Sequence, residues 1–180
     1  MPTPLYLDHN ATTPLCQEAC DAMLLFMYEQ FGNPSSPYSF GRDAKAGLEL
    51  ARNQVAASIG AKAEEITFTY GGTESSNIAI KGVVEAVRLA AAQGGGAAEL
   101  PHVVTSSIEH PCVVKPLEWL VDRGMATTTV VPVDGEGRVD ASTVAAAITA
   151  STCLVTIMQA NNEVGFLRRG SALASGREAR

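Results

Sequence analysis

The sequence is short of aromatic residues, charged residues and long apolar runs. Aromatic side chains make up 6% of the 180 residues and charged side chains 18%. No stretch approaches the ~18 consecutive apolar residues that a membrane-spanning helix needs. The first residues also lack the basic region and apolar run of a secretion signal. We therefore expect a protein of the cytoplasm, or of an organelle, that has no membrane partner.

Cysteine is scarce and shows no metal-binding spacing. None of the four cysteines belongs to a CxxC pair, so the sequence predicts neither a disulfide framework nor a zinc site. Cys16 and Cys20 are four residues apart and share a helical face. Two soft ligands without nearby partners make a poor metal site. We expect these two side chains in the buried core.

Positive charge is scarce over most of the chain. Thirteen basic residues against nineteen acidic ones give a net charge of −6, which argues against a nucleic-acid partner. Four of the basic residues lie among the last thirteen positions, so the rest of the chain is more acidic than the total suggests. We expect one body over residues 1–165 and a divergent basic tail, without fixed structure, over residues 166–180.

What the chain does contain is an alternation of helical and strand patterns. The predicted helices cover residues 15–29, a stretch capped by Ser39 and ended by Gly60, a stretch opening near Thr73, and residues 111–123 and 140–150. The predicted strands cover residues 66–69, 102–106, 127–133 and 154–158, and the predicted loops residues 31–37 and 93–100. This rhythm predicts an α/β fold, with a mostly parallel sheet and helices on both faces.

The first candidate ligand site is the turn Thr69-Tyr-Gly-Gly-Thr-Glu-Ser75. It follows a predicted strand, and ligands collect beyond the carboxyl ends of parallel strands. Its two glycines and the amides of the following helix suit a phosphate. The turn matches neither the Walker A pattern nor the GxGxxG fingerprint. A tight turn with a capping box explains the same residues equally well.

Two further predicted strands end in polar turns. One turn carries His110, whose ring can stack on a planar ligand or transfer a proton, although a lone histidine is often structural. The other carries Asn161 and Asn162, which suit a polar ligand but are also common in turns. Taken together, the three turns indicate a phosphorylated planar ligand.

Five segments, in this order, resemble the cysteine desulfurase family, whose members are class V, fold-type I enzymes dependent on pyridoxal phosphate. The segments are Leu7-Asp-His-Asn-Ala-Thr-Thr-Pro14, Phe31-Gly-Asn-Pro-Ser-Ser36, Phe68-Thr-Tyr-Gly-Gly-Thr-Glu-Ser75, Thr105-Ser-Ser-Ile-Glu-His110 and Asn161-Asn-Glu-Val-Gly165. The run Gly32–Ser39 with Gly41-Arg42, and Leu154–Met158, are most similar to the selenocysteine lyase branch. The resemblance covers residues 5 to 165.

The resemblance implies a role for four residues. Gly72 and Thr73 would hold the phosphate of pyridoxal 5'-phosphate. His110 would stack on its ring and assist proton transfer as a catalytic residue, and Asn162 would reach its phenolic edge and the substrate carboxylate. The implied reaction removes sulfur from L-cysteine, or selenium from L-selenocysteine, and leaves L-alanine. The implied full-length form is a homodimer, and the segments do not distinguish the two substrates.

Two elements of the family pattern have no match in this chain. Family members continue into a segment with the lysine that binds the cofactor covalently, and into a loop with the nucleophilic cysteine. None of the lysines or cysteines matches these contexts: Lys45, Lys62, Lys81, Lys115, Cys16, Cys20, Cys112 and Cys153. We therefore expect the amino-terminal part of such an enzyme, inactive alone, with residues after Gly165 altered by a truncated gene model, a retained intron or a frameshift.

Two alternatives remain open at the sequence level. The first is a non-catalytic binding or dimer-partner fragment of the same fold, in which residues 31–40 serve a neighbouring subunit. The second is an unrelated nucleotide-binding α/β domain, which the absence of GxGxxG disfavours.

Overall fold

The computed structural model describes residues 5–94 and 99–165. The chain divides into two compact units, Met1–Phe68 and Thr69–Arg180. The expected tail over residues 166–180 and the middle of the expected loop over residues 93–100 lie outside the described residues.

The first unit contains two helices and a short 3-10 turn. Helix α1 spans Gln17–Tyr28, helix α2 spans Ser39–Ile59, and the turn spans Ala63–Glu65. Both helices were predicted, and α2 ends at Gly60 in the left-handed region (φ 68°), as expected of a helix stop.

The predicted Ser39 cap is wrong. Tyr38 occupies the cap position without a side-chain hydrogen bond, and its carbonyl already accepts from the Arg42 amide at 3.0 Å. Helix α2 thus starts one residue earlier than a Ser39 cap implies. The preceding turn favours this start, because the Arg42 side chain also donates to the Pro37 carbonyl at 2.7 Å. Ser39 is therefore the first helical residue rather than the cap.

The predicted loop over residues 31–37 is a tight turn with internal hydrogen bonds. The Asn33 side chain accepts from the Ser35 amide at 2.9 Å, and the Asn33 carbonyl accepts from the Ser36 amide at 2.9 Å. Gly41 lies so close to the Ser36 carbonyl that any larger residue would clash with it. The segment is held against the start of α2.

Helix α1 leaves its apolar face uncovered, so the expectation of buried cysteines is wrong. Cys16 is exposed, Cys20 is half-buried, and no residue of α1 is fully buried. Its contact with α2 runs through the Phe26 ring, which fills the space that a side chain at Gly47 would need. This aromatic ring against a glycine does not cover the apolar stripe of a 12-residue helix.

The predicted strand over residues 66–69 is also wrong. Ile66 is extended (φ −94°, ψ 125°), but within the described residues this segment pairs with no other strand. The Ile66 carbonyl instead accepts from the Arg52 guanidinium, which also lies 5.0 Å from the centre of the Phe68 ring. A β-rich pattern favours extended backbone, but a strand also needs a neighbour to complete its hydrogen bonds.

The second unit alternates three helices with three strands. Its elements are α3 (Gly72–Gln93), β1 (His102–Ser106), α4 (Pro111–Asp122), β2 (Thr127–Val131), α5 (Ala141–Ala147) and β3 (Thr152–Thr156). The strands form a parallel sheet in the order β2-β1-β3. The βαβ prediction is confirmed, with β3 two residues earlier than predicted. Helix α5 is shorter than predicted, because Ile148 is already extended.

Helices cover both faces of this sheet, as predicted. Val103 and Val104 are fully buried and point to opposite faces, as successive strand residues do. Val103 packs with residues of α3 and α4, and Val104 packs with residues of β2 and α5. Across the described ranges, no helix is both long enough and apolar enough to cross a bilayer.

Candidate functional site

The start of α3 provides open backbone amides. Because α3 begins at Gly72, the amides of Gly72, Thr73 and Glu74 have no acceptor inside the helix, and they lie at its positive end. A methyl group built on Gly71 or Gly72 meets no atom within 4 Å. The space in front of these amides is therefore open to an anion, and the donor set suits a phosphate.

The remaining polar groups of this turn hydrogen-bond to each other. The Ser75 hydroxyl lies 2.7 Å from that of Thr69 and 3.2 Å from the Gly71 carbonyl. The Glu74 carboxylate accepts from the Tyr70 amide at 2.6 Å. Within the described part of the chain, the Thr73 hydroxyl makes no hydrogen bond. Glu74 and Ser75 therefore stabilise the turn without capping the first amides of α3, and Thr73 stays available to a ligand.

His110 is the cap of α4. Its Nδ1 accepts from the Cys112 amide at 3.1 Å. An accepting Nδ1 carries no proton, so the proton of the neutral ring is on Nε2. The side chain is otherwise exposed. His110 therefore has a structural role as a helix cap, and its exposed ring and Nε2 remain accessible to a ligand.

The starts of α3 and α4 line one groove. The groove has a volume of about 430 Å³, and Thr73 and His110 both line it. The two helix starts are joined by a contact of 3.5 Å from the Ser76 hydroxyl to the Cys112 sulfur. Farther along the groove, the Lys81 ammonium lies 4.5 Å from the centre of the Trp119 ring. Two predicted site residues, 37 positions apart in sequence, thus share a groove with a positively charged wall.

The two asparagines of the third turn differ in environment. Asn161 is 8% exposed, donates to the Ile108 carbonyl at 3.0 Å and accepts from the Glu163 and Val164 amides. Asn162 is exposed on the turn. Of the described residues that line the groove, none belongs to residues 161–165. Asn161 is structural, and the role of Asn162 stays a prediction.

Glu109, the residue before His110, makes hydrogen bonds beside the groove that the sequence motifs did not indicate. Its Oε1 accepts from the Ser106 hydroxyl at 2.5 Å and from the Met158 amide at 2.7 Å. The sequence signal was an acidic residue between the end of a strand and the cap of the next helix. This signal does not predict which groups donate to Glu109, because the Met158 amide lies 49 residues away in sequence.

Two further observations concern metal ligands and the Cys153 thiol. No group of three or more His, Cys, Asp or Glu side chains there could hold a metal ion. Burial raises the pKa of the Cys153 thiol, which disfavours the thiolate needed for nucleophilic attack.

Comparison with known proteins places this geometry in a family. The class-V aminotransferase family matches residues 5–175. The chain belongs to the class-V aminotransferase family. Among its curated relatives, cysteine desulfurase IscS of Dictyoglomus turgidum is 45% identical over 163 residues, and selenocysteine lyase of Homo sapiens is 45% identical over 172 residues. Each match covers 91% of this chain and 39% of the relative.

The class-V assignment extends to the fold. A NifS-like protein superposes with a TM-score of 0.83 at 34% identity, covering 93% of this chain and 43% of that one. A structure described as SspA in complex with cysteine gives a TM-score of 0.84 at 33% identity, with 94% and 46% covered. The predicted fold class is confirmed, and the chain spans about 39% of the length of the curated relatives named above.

Proposed function

We propose that this chain is the amino-terminal part of a pyridoxal-phosphate-dependent enzyme that takes sulfur from L-cysteine, or selenium from L-selenocysteine, and leaves L-alanine. One observation carries the proposal: Thr73, at the open amino terminus of α3, and His110, at the start of α4, line the same groove. The equal identity to a cysteine desulfurase and a selenocysteine lyase supports both substrates alike.

The groups at the two helix starts fit this cofactor. The amides of Gly72 and Thr73 and the Thr73 hydroxyl would hold its phosphate, because they are open donors at a positive helix end. The His110 ring would lie against its planar ring, and Nε2 would exchange a proton with the substrate side. Asn162 would donate to a polar edge of the cofactor. When bound, the cofactor supplies an electron sink for charge that develops on the substrate carbon.

The chain alone is proposed to lack turnover. Its lysines and cysteines do not match the family's covalent lysine and nucleophilic cysteine, and the Cys153 thiol is further disfavoured by burial. The remaining catalytic groups would come from a longer form of the polypeptide. We propose that this longer form is a homodimer of the cytoplasm or of an organelle. A mitosomal cysteine desulfurase of Trachipleistophora hominis, 41% identical over 168 residues, shows that relatives exist in an organelle.

The direct test uses two proteins. One is the chain itself, and the other joins residues 1–165 to the part of the human selenocysteine lyase that this chain does not match. Both are incubated with pyridoxal phosphate and L-cysteine or L-selenocysteine, and alanine is measured. The proposal expects alanine from the joined protein only. Alanine from the 180-residue chain would refute the proposed dependence on the missing groups.

A binding or dimer-partner fragment is the second candidate. The observation that favours it is the exposed apolar face of α1, which carries Met23, Leu24, Phe26 and Met27. Exposed apolar patches of this kind mark association surfaces. Size-exclusion chromatography of the chain, alone and mixed with a full-length relative, tests it. Co-elution without any alanine from the joined protein would favour this function over the enzyme.

A further inference from the structure

The turn that carries His110 is linked to the ends of all three strands in the described part of the chain. It leaves β1 at Ser106, and the Ser107 amide donates to the Val131 carbonyl at the end of β2 at 3.0 Å. The Glu109 Oε1 accepts from the Met158 amide, just beyond β3, at 2.7 Å. One short turn therefore contacts the carboxyl ends of three strands.

Asn161 provides a second hydrogen-bonded link between the turn that carries His110 and the segment that follows β3. Its Nδ2 donates to the Ile108 carbonyl, and its Oδ1 accepts from the Glu163 and Val164 amides at 2.8 and 3.0 Å. Asn161 is therefore bonded to the His110 turn on one side and shapes its own turn on the other.

The two residues that make these linking hydrogen bonds are sequence neighbours of the two predicted ligand contacts. Glu109 precedes His110, and Asn161 precedes Asn162. We infer that Glu109 and Asn161 are a pair of positioning residues, which fix the His110 turn and the Asn162 turn relative to each other. The inference rests on the proposed function for the identity of the ligand, but the coupling of the two turns is a property of the chain alone.

The position and chemistry of Glu109 favour positioning over general stability. The apolar core lies along Val103 and Val104, and Glu109 lies beyond the strand end. A half-buried carboxylate that accepts two hydrogen bonds is costly to desolvate, and such bonds are short and directional. An apolar contact could stabilise the packing here without this cost. The carboxylate, in contrast, fixes the position of the His110 turn relative to the segment after β3.

The first test needs no ligand and measures amide hydrogen exchange in the 180-residue chain. In Glu109→Ala, the Met158 amide should exchange about tenfold faster, because it loses a hydrogen bond to a charged acceptor. The Cys112 amide, which reports the His110 cap, should also exchange faster. In Glu109→Gln, the amide oxygen can still accept both bonds, so both amides should stay near wild type.

The matching variant for the hydrogen bond between Asn161 and Ile108 is Asn161→Asp. It keeps the oxygen that accepts from Glu163 and Val164 but replaces the donor to Ile108 with a second oxygen. Exchange at Cys112 should again rise. The control is Asp122→Asn, which removes one carboxylate from the exposed end of α4 and should change neither amide. The Val84 amide, in the core of α3, checks that each variant is folded.

Two results would overturn the inference. In the first, Glu109→Ala speeds exchange at the Met158 amide but leaves exchange at the Cys112 amide unchanged. The hydrogen bond of Glu109 would then have no effect on the position of His110. The other is a Gln variant as disturbed as the Ala variant, because the acceptor geometry would then be irrelevant. If Glu109→Ala fails to fold, Asn161→Asp replaces it, and unchanged exchange at Cys112 in Asn161→Asp would then overturn the inference.

The second test measures the affinity of the chain for pyridoxal phosphate from the change in its absorbance. Glu109→Ala should weaken binding at least about fivefold, as expected from misplacing a contact group, and Glu109→Gln should restore it. Unchanged affinity in Glu109→Ala would contradict the positioning role. If the wild-type chain does not bind the cofactor, the proposed function loses its support, and the exchange experiment still judges the coupling of the two turns.

Discussion

His110 uses one nitrogen to cap α4 and lines the groove that also contains Thr73. These two roles can be separated, because asparagine is a good helix cap but has no aromatic ring. The residue is therefore the place where capping and ligand binding can be measured independently.

We predict that His110→Asn keeps the stability of the chain, whereas His110→Ala lowers the free energy of unfolding by about 0.5–2 kcal/mol, the usual cost of losing a cap. Both variants should lose most of the affinity for pyridoxal phosphate, because both lack the ring. Urea unfolding and a cofactor titration provide the two readouts. An asparagine variant that binds the cofactor like wild type would show that His110 only caps the helix.

At the residue scale, the sequence offered candidate site residues where the signal is local, and it missed hydrogen bonds that depend on distant partners. Gly72, Thr73 and His110 could be named from turns at helix starts. The hydrogen bonds of Glu109 and Asn161 could not be predicted, because the Met158 amide that donates to Glu109 lies 49 residues away and the Ile108 carbonyl that accepts from Asn161 lies 53 residues away. The choice between Asn161 and Asn162 likewise depends on burial, which two identical neighbours do not reveal.

At the scale of elements, the helices followed from their apolar stripes because one face of a helix is specified by its own sequence. The stretch over residues 66–69 shows the limit of this reasoning for strands. Its β-branched pattern predicted a strand, and Ile66 is extended, yet a strand is defined by a partner, and the Ile66 carbonyl accepts from Arg52 instead.

The junction of α3, α4 and β1 should carry much of the stability of the second unit. Leu120 is 1% exposed and packs with Val103 and Val84. We predict that Leu120→Ala lowers the free energy of unfolding by about 2–5 kcal/mol, the range for a buried leucine. Urea unfolding measures it. Leu89→Ala, on a residue of α3 that is 55% exposed, is the matched control and should cost less than about 0.5 kcal/mol.

The cap of α5 predicts a pH dependence. The hydroxyl of Ser142 donates to the Asp140 carboxylate at 2.7 Å, and with the Ser142 amide it lowers the pKa of Asp140 below the usual value. A lowered folded-state pKa stabilises the fold at neutral pH. That contribution is lost as the pH falls from about 4 through the folded-state pKa.

Ser142→Ala removes the larger of the two causes, so it should lose less stability than wild type on acidification through this range. Thermal unfolding midpoints between neutral and acidic pH measure the difference. Parallel acid profiles of wild type and Ser142→Ala would show that this hydrogen bond does not tune Asp140.

At the scale of the whole molecule, the chain presents features that suit further association. Strand β3 pairs with β1 on one side, and among the described strands none pairs with its other edge. The apolar face of α1 is also uncovered. Both observations agree with a chain that spans about 39% of its curated relatives. The proposed recognition of a phosphate is nevertheless local to the second unit, at the start of α3.

The most direct measurement of that recognition is a titration of the chain with pyridoxal phosphate and, in parallel, with pyridoxal, which lacks the phosphate. We predict saturable binding of the phosphorylated form only, measured by absorbance. We also predict an affinity about tenfold lower in Thr73→Ala, which loses one hydrogen bond to a charged group, with recovery in Thr73→Ser. Equal binding of the two compounds, or binding of pyridoxal phosphate that is indifferent to Thr73, would contradict phosphate recognition at the start of α3.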